Sequence, residues 1–237
     1  MAPAGPSSWI LFHCPMLNGF ALLHQHGLSR LSVDSLALHV GFSTLYPTYR
    51  LGSKACNFAF LIELLGYFLW FDVDETSLDG HADIEGLDAS AAHVANLLSS
   101  EPSDVSLGIG GFSMGAAAAL HSAACYAHGR FTNGIAYPIN LRVVVGLSGW
   151  LPCSRTLRSK IESSQLALRK ASSLPILLNH GIADEVVIYR NGERSAEILR
   201  NSGFQYTYFK PYNGLGHYTI PEEMDDVSKW LRSTLGL

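Results

Sequence analysis

A serine with a glycine two positions away on each side is the first arrangement in this sequence that could carry out a reaction. It lies in the segment GFSMG, residues 111–115, whose central residue is Ser113. A sharp turn from a strand into a helix leaves no room for side chains two positions from its apex, and glycine has no Cβ to clash there. The pattern predicts a nucleophile elbow that presents the Ser113 hydroxyl at the edge of a sheet. A Gly-Ser turn without chemistry is the alternative.

The segments on either side of this serine fit the strand–turn–helix context that a nucleophile elbow requires. Residues 105–112, VSLGIGGF, are apolar enough for a short buried strand, although the glycines weaken that prediction. Residues 114–127 are rich in alanine, which loses no side-chain entropy in a helix. Their small side chains would also let this helix lie close to the sheet.

A serine hydroxyl is a weak nucleophile, so a base must take its proton and a carboxylate must orient that base. In a parallel sheet the ligand site lies at the carboxyl ends of the strands, which directs attention to polar residues just after apolar runs. Asp184 follows the run at 174–181, and His217 follows the aromatic segment at 204–210 on a Gly-rich turn. The chain order Ser113, Asp184, His217 is the order found in α/β-hydrolases.

Each candidate has a competitor or a second explanation. Glu185 competes with Asp184 for the role of the acid, and Asp184 could merely cap a helix at 185–190. His180 precedes a glycine at a strand end, which favours a structural role. Cys125 is a weaker rival nucleophile, because it falls inside a predicted helix without a basic neighbour.

Composition limits the remaining possibilities. The chain has 237 residues, 48% of them hydrophobic and 15% charged, which suits one α/β domain with a sizeable core. A formal net charge of −4 without a Lys/Arg cluster argues against nucleic acid as a partner. The cysteines are scattered without metal-ligand spacing, so we expect free thiols, no metal and no cofactor. They are Cys14, Cys56, Cys125 and Cys153.

Strand and helix patterns alternate along the chain from about residue 70. Such alternation predicts an α/β fold with a mainly parallel sheet and helices on both faces. The predicted helices span 85–100, 114–127, 155–173, 191–203 and 221–235. The predicted strands span 105–112, 140–150 with its following loop, 174–181 and 204–210.

The first 69 residues differ in character from the rest of the chain. They hold only five charged side chains and give no clear helix caps, so their elements are not assigned. Their first positively charged side chain is that of Arg30, whereas a signal peptide begins with a positively charged region. Residues 55–71 are apolar but short for a membrane span and contain Glu63, which favours a buried strand or helix. We therefore expect a soluble, cytoplasmic protein.

Four segments make a family resemblance specific. Residues 70–237 resemble the acyl-protein thioesterase/carboxylesterase family of α/β-hydrolases, and its plant members in particular, through GIGGFSMGAAAAL, VVGLSGWLP, NHGIADEVV and YNGLGHYTIPEEMDDVSKWL. The resemblance implies that Ser113 is the nucleophile, Asp184 the acid and His217 the base. It also implies hydrolysis of acyl thioesters on lipidated cysteines and of small carboxylic or lysophospholipid esters. Acylated proteins or small esters would then be the substrates.

The resemblance is weaker where the oxyanion site is concerned. The family implies two backbone donors, one from Met114, after the nucleophile, and one from a His-Gly-Leu-Gly-Asp loop near the start of the chain. Here the best match is His-Gly-Leu at residues 26–28, so Leu28 is the candidate donor, and Ser29 and Arg30 replace the expected Gly and Asp. Loss of one such donor lowers the rate by about 100- to 1,000-fold.

Two hypotheses follow for a single domain that spans 1–237, with 1–69 divergent from the family. The first is an active serine hydrolase, and the second is a weak or inactive relative that binds acyl chains or partners. The triad candidates favour the first, and the N-terminal segment favours the second. Trp150, in the segment SGWL, would lie near the acyl-binding side by resemblance, or would simply pack in the core. The sequence does not indicate an oligomeric state.

Overall fold

A mixed sheet lies at the centre of the fold. The structure is a computed structural model that describes residues 76, 78, 80, 82–101, 103 and 106–236, together with the backbone of three strands in the N-terminal part. The strands are β1 (Ser7–Phe12), β2 (Tyr49–Leu51), β3 (Phe58–Glu63), β4 (Ser106–Phe112), β5 (Leu141–Leu147), β6 (Ile176–Gly181) and β7 (Thr207–Tyr212). The helices are α1 (Ile84–Ser99), α2 (Met114–His128), α3 (Ser154–Glu162), α4 (Gln165–Ser173), α5 (Tyr189–Asn201) and α6 (Pro221–Leu235).

Among the described strands the order across the sheet is β2-β3-β1-β4-β5-β6-β7. Strand β2 pairs antiparallel with β3, and every other neighbouring pair is parallel. The carboxyl ends of β4, β5, β6 and β7 therefore meet at one edge of the sheet. This edge is where the chain places the residues that follow each apolar run.

Successive residues of β5 show that helices cover both faces of the sheet. Val144 belongs to the buried cluster that contains residues of α1, α2 and α5. Val143 and Val145 point the opposite way and pack with Val227 of α6. Side chains of a strand alternate between its faces, so a continuous apolar run indicates a strand buried on both sides. The predicted α/β fold is confirmed.

Small residues bring α2 close to the sheet, as the alanine-rich sequence predicts. Ala116 and Ala119 are fully buried in this helix. A Cβ placed on Gly149, just after β5, would lie 2.4 Å from the Ala116 Cβ. A larger side chain at position 116 or 149 would push the helix away from the strand ends, because protein interiors are close-packed.

Most predicted elements agree with the structure to within a few residues, but the single helix predicted at 155–173 is wrong. The segment forms α3 and α4, separated at Ser163 and Ser164. The Ser164 side chain accepts a hydrogen bond from the Ala167 backbone N–H at 3.0 Å and thereby caps α4. Serine competes in this way for backbone groups, which ends one helix and starts another despite a continuous apolar period.

The apolar segment at 55–71 contains a strand, β3. None of the helices in the part of the chain that the structure describes is both long enough and apolar enough to cross a bilayer.

Candidate active site

Ser113 occupies the turn between β4 and α2. Its backbone φ is +56°, a region that residues with a side chain seldom adopt, and its N–H donates to the Leu147 carbonyl at 2.8 Å. A Cβ on Gly111 would lie 2.2 Å from the carbonyl carbon of Gly115. Glycine is therefore required at position 111 by its contact with Gly115, as the GFSMG pattern predicts for this position. The strained turn is the geometry of a nucleophile elbow.

His217 lies on the turn between β7 and α6, at the same edge of the sheet as the serine. Its Nε2 lies 3.0 Å from the Ser113 Oγ. Its ring packs against Phe112, with 4.8 Å between the ring centroids. Both His217 and Ser113 are buried. Phe112 was not singled out by sequence reasoning, because nothing in the local pattern indicates which core residue an imidazole from a distant turn will contact.

Asp184 follows β6 and completes the arrangement. Its Oδ2 lies 2.8 Å from the His217 Nδ1. Its Oδ1 accepts hydrogen bonds from the backbone N–H groups of Val186 at 3.0 Å and Val187 at 2.9 Å. Oδ1 of Asp184 therefore holds the turn that follows, and Oδ2 contacts the histidine. The structural and functional interpretations of this residue are both compatible with its contacts.

The electrostatics of Asp184 fix the histidine tautomer. Burial raises the pKa of this carboxyl, but the hydrogen bonds from His217, Val187 and Val186 outweigh it and bring the pKa below its usual value. The carboxylate is ionised at neutral pH and can only accept, so the His217 Nδ1 carries the hydrogen. In the neutral imidazole, Nε2 then has a lone pair directed at the Ser113 hydroxyl.

The competing candidates differ from these three residues in their exposure, hydrogen bonds or pKa. Glu185 is exposed, next to the acid but pointing into solvent. His180 is buried, and its Nε2 donates to the Val187 carbonyl at 2.7 Å; burial lowers its pKa, so the ring is neutral at neutral pH. Cys125 is buried in α2, and burial raises the pKa of its thiol to about 12. A thiol with that pKa is protonated at neutral pH and is a poor nucleophile.

The oxyanion candidates are only partly described. Met114 is the first residue of α2, so its N–H has no acceptor within the helix, and its role as an oxyanion donor stays a prediction. Leu28 lies outside the described residues. Trp150 is buried, in a cluster with Leu87 and Ala117. That position agrees with core packing, and a contact with substrate stays a prediction.

A second buried polar group lies apart from the triad candidates. Asp88 of α1 contacts His121 Nε2 at 2.8 Å, and its two oxygens also accept from the Thr132 and Asn133 backbone N–H groups. The Cys125 Sγ lies 3.5 Å from the same His121 nitrogen. These three side chains could act as metal ligands by type and proximity. The contacts of Asp88 with His121 and with the Thr132 and Asn133 N–H groups already satisfy the carboxylate, and the expectation of no metal stays a prediction.

Comparison with known proteins shows the family of this chain. A family model described as phospholipase/carboxylesterase matches residues 65–235. The chain belongs to the phospholipase/carboxylesterase family. The match covers the described elements α1 to α6 and the three residues of the Ser113–His217–Asp184 arrangement. It begins near the point where the charge content of the sequence changes.

The relatives of this phospholipase/carboxylesterase chain are named as acyl-protein thioesterases or carboxylesterases. Acyl-protein thioesterase 1 of Gibberella zeae is 32% identical over 70% of this chain and 68% of its own length. A probable carboxylesterase of Oryza sativa subsp. japonica is 30% identical over 70% of this chain, which spans only 58% of that protein. The crystal structure of Zea mays acyl-protein thioesterase 2 is 44% identical and covers 99% of this chain and 96% of its own, with a TM-score of 0.74. The phospholipase/carboxylesterase member described here is an ester hydrolase of the α/β-hydrolase fold.

Proposed function

We propose that the protein is a serine hydrolase that cleaves acyl thioesters on lipid-modified protein cysteines, and small carboxylic or lysophospholipid esters. Ser113 is the nucleophile, His217 the general base and Asp184 the residue that orients and stabilises the imidazole. The observation that carries the proposal is the continuous relay from the Ser113 Oγ to His217 and from His217 to Asp184, at 3.0 Å and 2.8 Å. The names of the relatives from Gibberella zeae and Zea mays support the thioester substrate.

The relay determines the direction of proton movement. His217 Nε2 takes the hydroxyl proton as the Ser113 oxygen attacks the acyl carbon, and the negative charge of Asp184 stabilises the imidazolium that forms. The tetrahedral oxyanion accepts a hydrogen bond from the Met114 N–H at the positive end of α2. Collapse of this intermediate expels a thiol or alcohol, which takes the proton from His217. Water, activated by the same histidine, then releases the carboxylic acid and restores the serine.

A catalytically inactive relative is the less favoured alternative. An inactive protein would have no need for a strained serine turn, a histidine between the serine and a carboxylate, and an ionised state of that carboxylate in one connected group. The family and the names of its relatives also favour the hydrolase. A cytoplasmic location remains a prediction from the sequence, and subcellular fractionation tests it.

Labelling with a fluorophosphonate probe, combined with hydrolysis assays, tests the proposal. The Ser113→Ala variant should lose labelling and lose hydrolysis of both a short activated ester and a palmitoyl thioester, with an unchanged circular dichroism spectrum. Ser159→Ala is the matched control, since Ser159 lies exposed on α3 and only donates to the Thr156 carbonyl. Retention of most of the activity by a folded Ser113→Ala variant would remove Ser113 from the mechanism.

A further inference from the structure

Glu223 is a buried acid that the proposed mechanism does not use. It lies in the first turn of α6, and its exposed fraction is 0%. No donor in the part of the chain that the structure describes meets the geometry of a hydrogen bond to either carboxyl oxygen, although the Asn179 side chain and the Ile220 N–H lie close enough to lower the pKa of the group. A carboxyl group buried without partners is costly, because it loses its hydration and gains nothing in return. The position therefore requires an explanation beyond packing.

The donors and acceptors near Glu223 indicate whether its carboxyl group is neutral or ionised. Asp226 accepts from the Tyr212 hydroxyl at 2.9 Å and also pairs with Lys210. Because Tyr212 has one hydrogen and gives it to Asp226, its oxygen must accept from the Asn179 side-chain nitrogen, 3.5 Å away. These hydrogen bonds require the nitrogen of the Asn179 amide, and not its oxygen, to point at Tyr212. Its oxygen Oδ1 is left facing away from Tyr212.

The Asn179 Oδ1 is itself buried and has no hydrogen-bond partner among the described residues. An acceptor of this kind requires a donor, and an ionised carboxylate is not one. A neutral Glu223 carries one O–H donor. The Asn179 side chain lies within the range of a side-chain hydrogen bond to Glu223. Protonation of Glu223 would therefore satisfy both the acid and the amide oxygen, in a chain of hydrogen bonds that runs from Glu223 through Asn179 and Tyr212 to Asp226.

The surroundings of Glu223 agree with a neutral side chain. Burial raises the pKa of Glu223 to about 7, against the lowering effect of the nearby Asn179 amide and Ile220 N–H. Asp226 raises it further, through repulsion between like charges. The helix N-terminus would favour the anion by itself, so desolvation is the dominant influence.

Glu223 is well placed to influence His217. Helix α6 begins at Pro221, four residues after His217, so the position of its first turn sets one end of the histidine turn. The other end is held against β6, where the Ala183 N–H donates to the Leu215 carbonyl at 3.0 Å. The residue after Glu223, Met224, packs on the cluster that contains Phe112, against which the His217 ring lies.

We propose that Glu223 is a positioning residue which, as a neutral carboxylic acid, donates a hydrogen bond to the Asn179 side-chain oxygen and thereby fixes the start of α6 and the His217 turn. The effect on catalysis rests on the proposed function, whereas the protonation and the hydrogen bond do not. A misplacement of about 1 Å near a reacting group can lower the rate about 100-fold. Ionisation of Glu223 would remove the donor and leave two acceptors facing each other.

Several other groups near Glu223 titrate or carry charge. Helix α6 contributes Asp226 and the exposed Glu222, and strand β7 contributes Tyr212 and, through its pair with Asp226, Lys210. Strand β6 contributes the uncharged Asn179, whereas its His180 packs against Gly192 of α5. These groups are common to the wild-type protein and to a Glu223→Gln variant. A difference between the two proteins therefore isolates the titration of Glu223.

Glu223→Gln and Glu222→Gln form a matched pair of variants, one at the buried acid and one at its exposed neighbour. The amide introduced by Glu223→Gln is neutral at every pH and can donate its N–H to Asn179, so it should replace the protonated acid. The wild-type carboxyl binds a proton more tightly when folded, so wild-type stability relative to Glu223→Gln should fall as pH rises from about 4.5 to about 7 and then stay constant. Urea denaturation of the full chain at several pH values measures this difference.

A pH-independent difference between wild type and Glu223→Gln would overturn the proposal, because Glu223 would then have the same pKa in the folded and unfolded chains. Greater loss of stability in the glutamine variant at high pH than at low pH would also overturn it, since that result requires a stabilised anion. Glu222→Gln should show no such pH trend. This measurement needs no enzymatic activity, so its failure is distinguishable from failure of the proposed hydrolase function.

The positioning effect is read from the pH profile of kcat. Below about pH 7, Glu223→Gln should keep kcat within about twofold of the wild type, whereas Glu223→Ala should lower kcat about 10- to 100-fold with little change in KM. Above that pH, the wild-type kcat should fall relative to Glu223→Gln as the acid ionises. If the kcat profiles of wild type and Glu223→Gln stay parallel up to about pH 9, where Glu223 is fully ionised, ionisation of Glu223 does not displace His217.

Discussion

Asp184 and His217 are 33 positions apart in the chain, yet the Asp184 Oδ2 lies 2.8 Å from the His217 Nδ1. The second Asp184 oxygen is occupied by two backbone N–H groups of the following turn. Hydrogen bonds from the backbone therefore hold the carboxylate in a single orientation, independently of its contact with His217. Because each oxygen has its own partners, the effect of an amide substitution at Asp184 is predictable.

Asp184→Asn should lower kcat by about 10,000-fold. The Val186 and Val187 N–H groups would keep the amide oxygen at the position of Oδ1, so the NH₂ group would face His217. The imidazole would then have to accept at Nδ1 and carry its hydrogen on Nε2, where it cannot take the serine proton. Steady-state hydrolysis of a soluble ester measures the effect, and Glu185→Gln is the control, with an expected change below about twofold. Reversed effects would assign the acid to Glu185.

Gly111→Ala should destabilise the protein by more than about 3 kcal/mol, because the new Cβ would lie 2.2 Å from the Gly115 carbonyl carbon and neither backbone can move away. Gly129→Ala is the comparison: its φ is +83°, but nothing lies within 4 Å of the new Cβ. That variant should lose only about 1–2 kcal/mol from the left-handed backbone. Urea denaturation measures both, and equal stability of the two variants would contradict the required contact at the elbow.

Asp88→Ala should destabilise the fold by about 3–5 kcal/mol, because it leaves His121 and two backbone N–H groups buried without their acceptor. Glu85→Ala, at an exposed position of the same helix, should change stability by less than about 0.5 kcal/mol. Burial raises the pKa of Asp88, but its hydrogen bonds bring it below the usual 3.8. The stabilisation is thus present above pH 3.8 and is lost as pH falls below it, a loss that Asp88→Ala should not show.

Cys125→Ala should leave kcat within about twofold of the wild type, since the thiol is protonated and buried in α2. The Cys125 side chain of the native protein should also be unreactive toward iodoacetamide, measured by mass spectrometry of the labelled peptide. A large loss of activity in a folded Cys125→Ala variant would revive the cysteine as a nucleophile. The same assay on Ser113→Ala provides the positive control for loss.

The helix boundaries show where sequence reasoning stopped short. The alanine-rich helix and the Pro221 helix were predictable, because propensity and a first-turn proline act locally. The break at Ser163 and Ser164 was not, since an apolar period of 3.6 continues across it. Whether a serine side chain caps a new helix or points to solvent depends on how the two segments pack.

The sequence by itself determined the α/β class, the serine turn and the order of the three polar residues, because each depends on local pattern or on the rule that strand ends share one edge. Only the tertiary structure decided that Asp184 uses different oxygens for its turn and for His217, that Phe112 contacts the imidazole, and that Asn179 and Glu223 face each other. These contacts join residues far apart in the chain. Their distances follow from how strands and helices pack, and no spacing within a single segment encodes that packing.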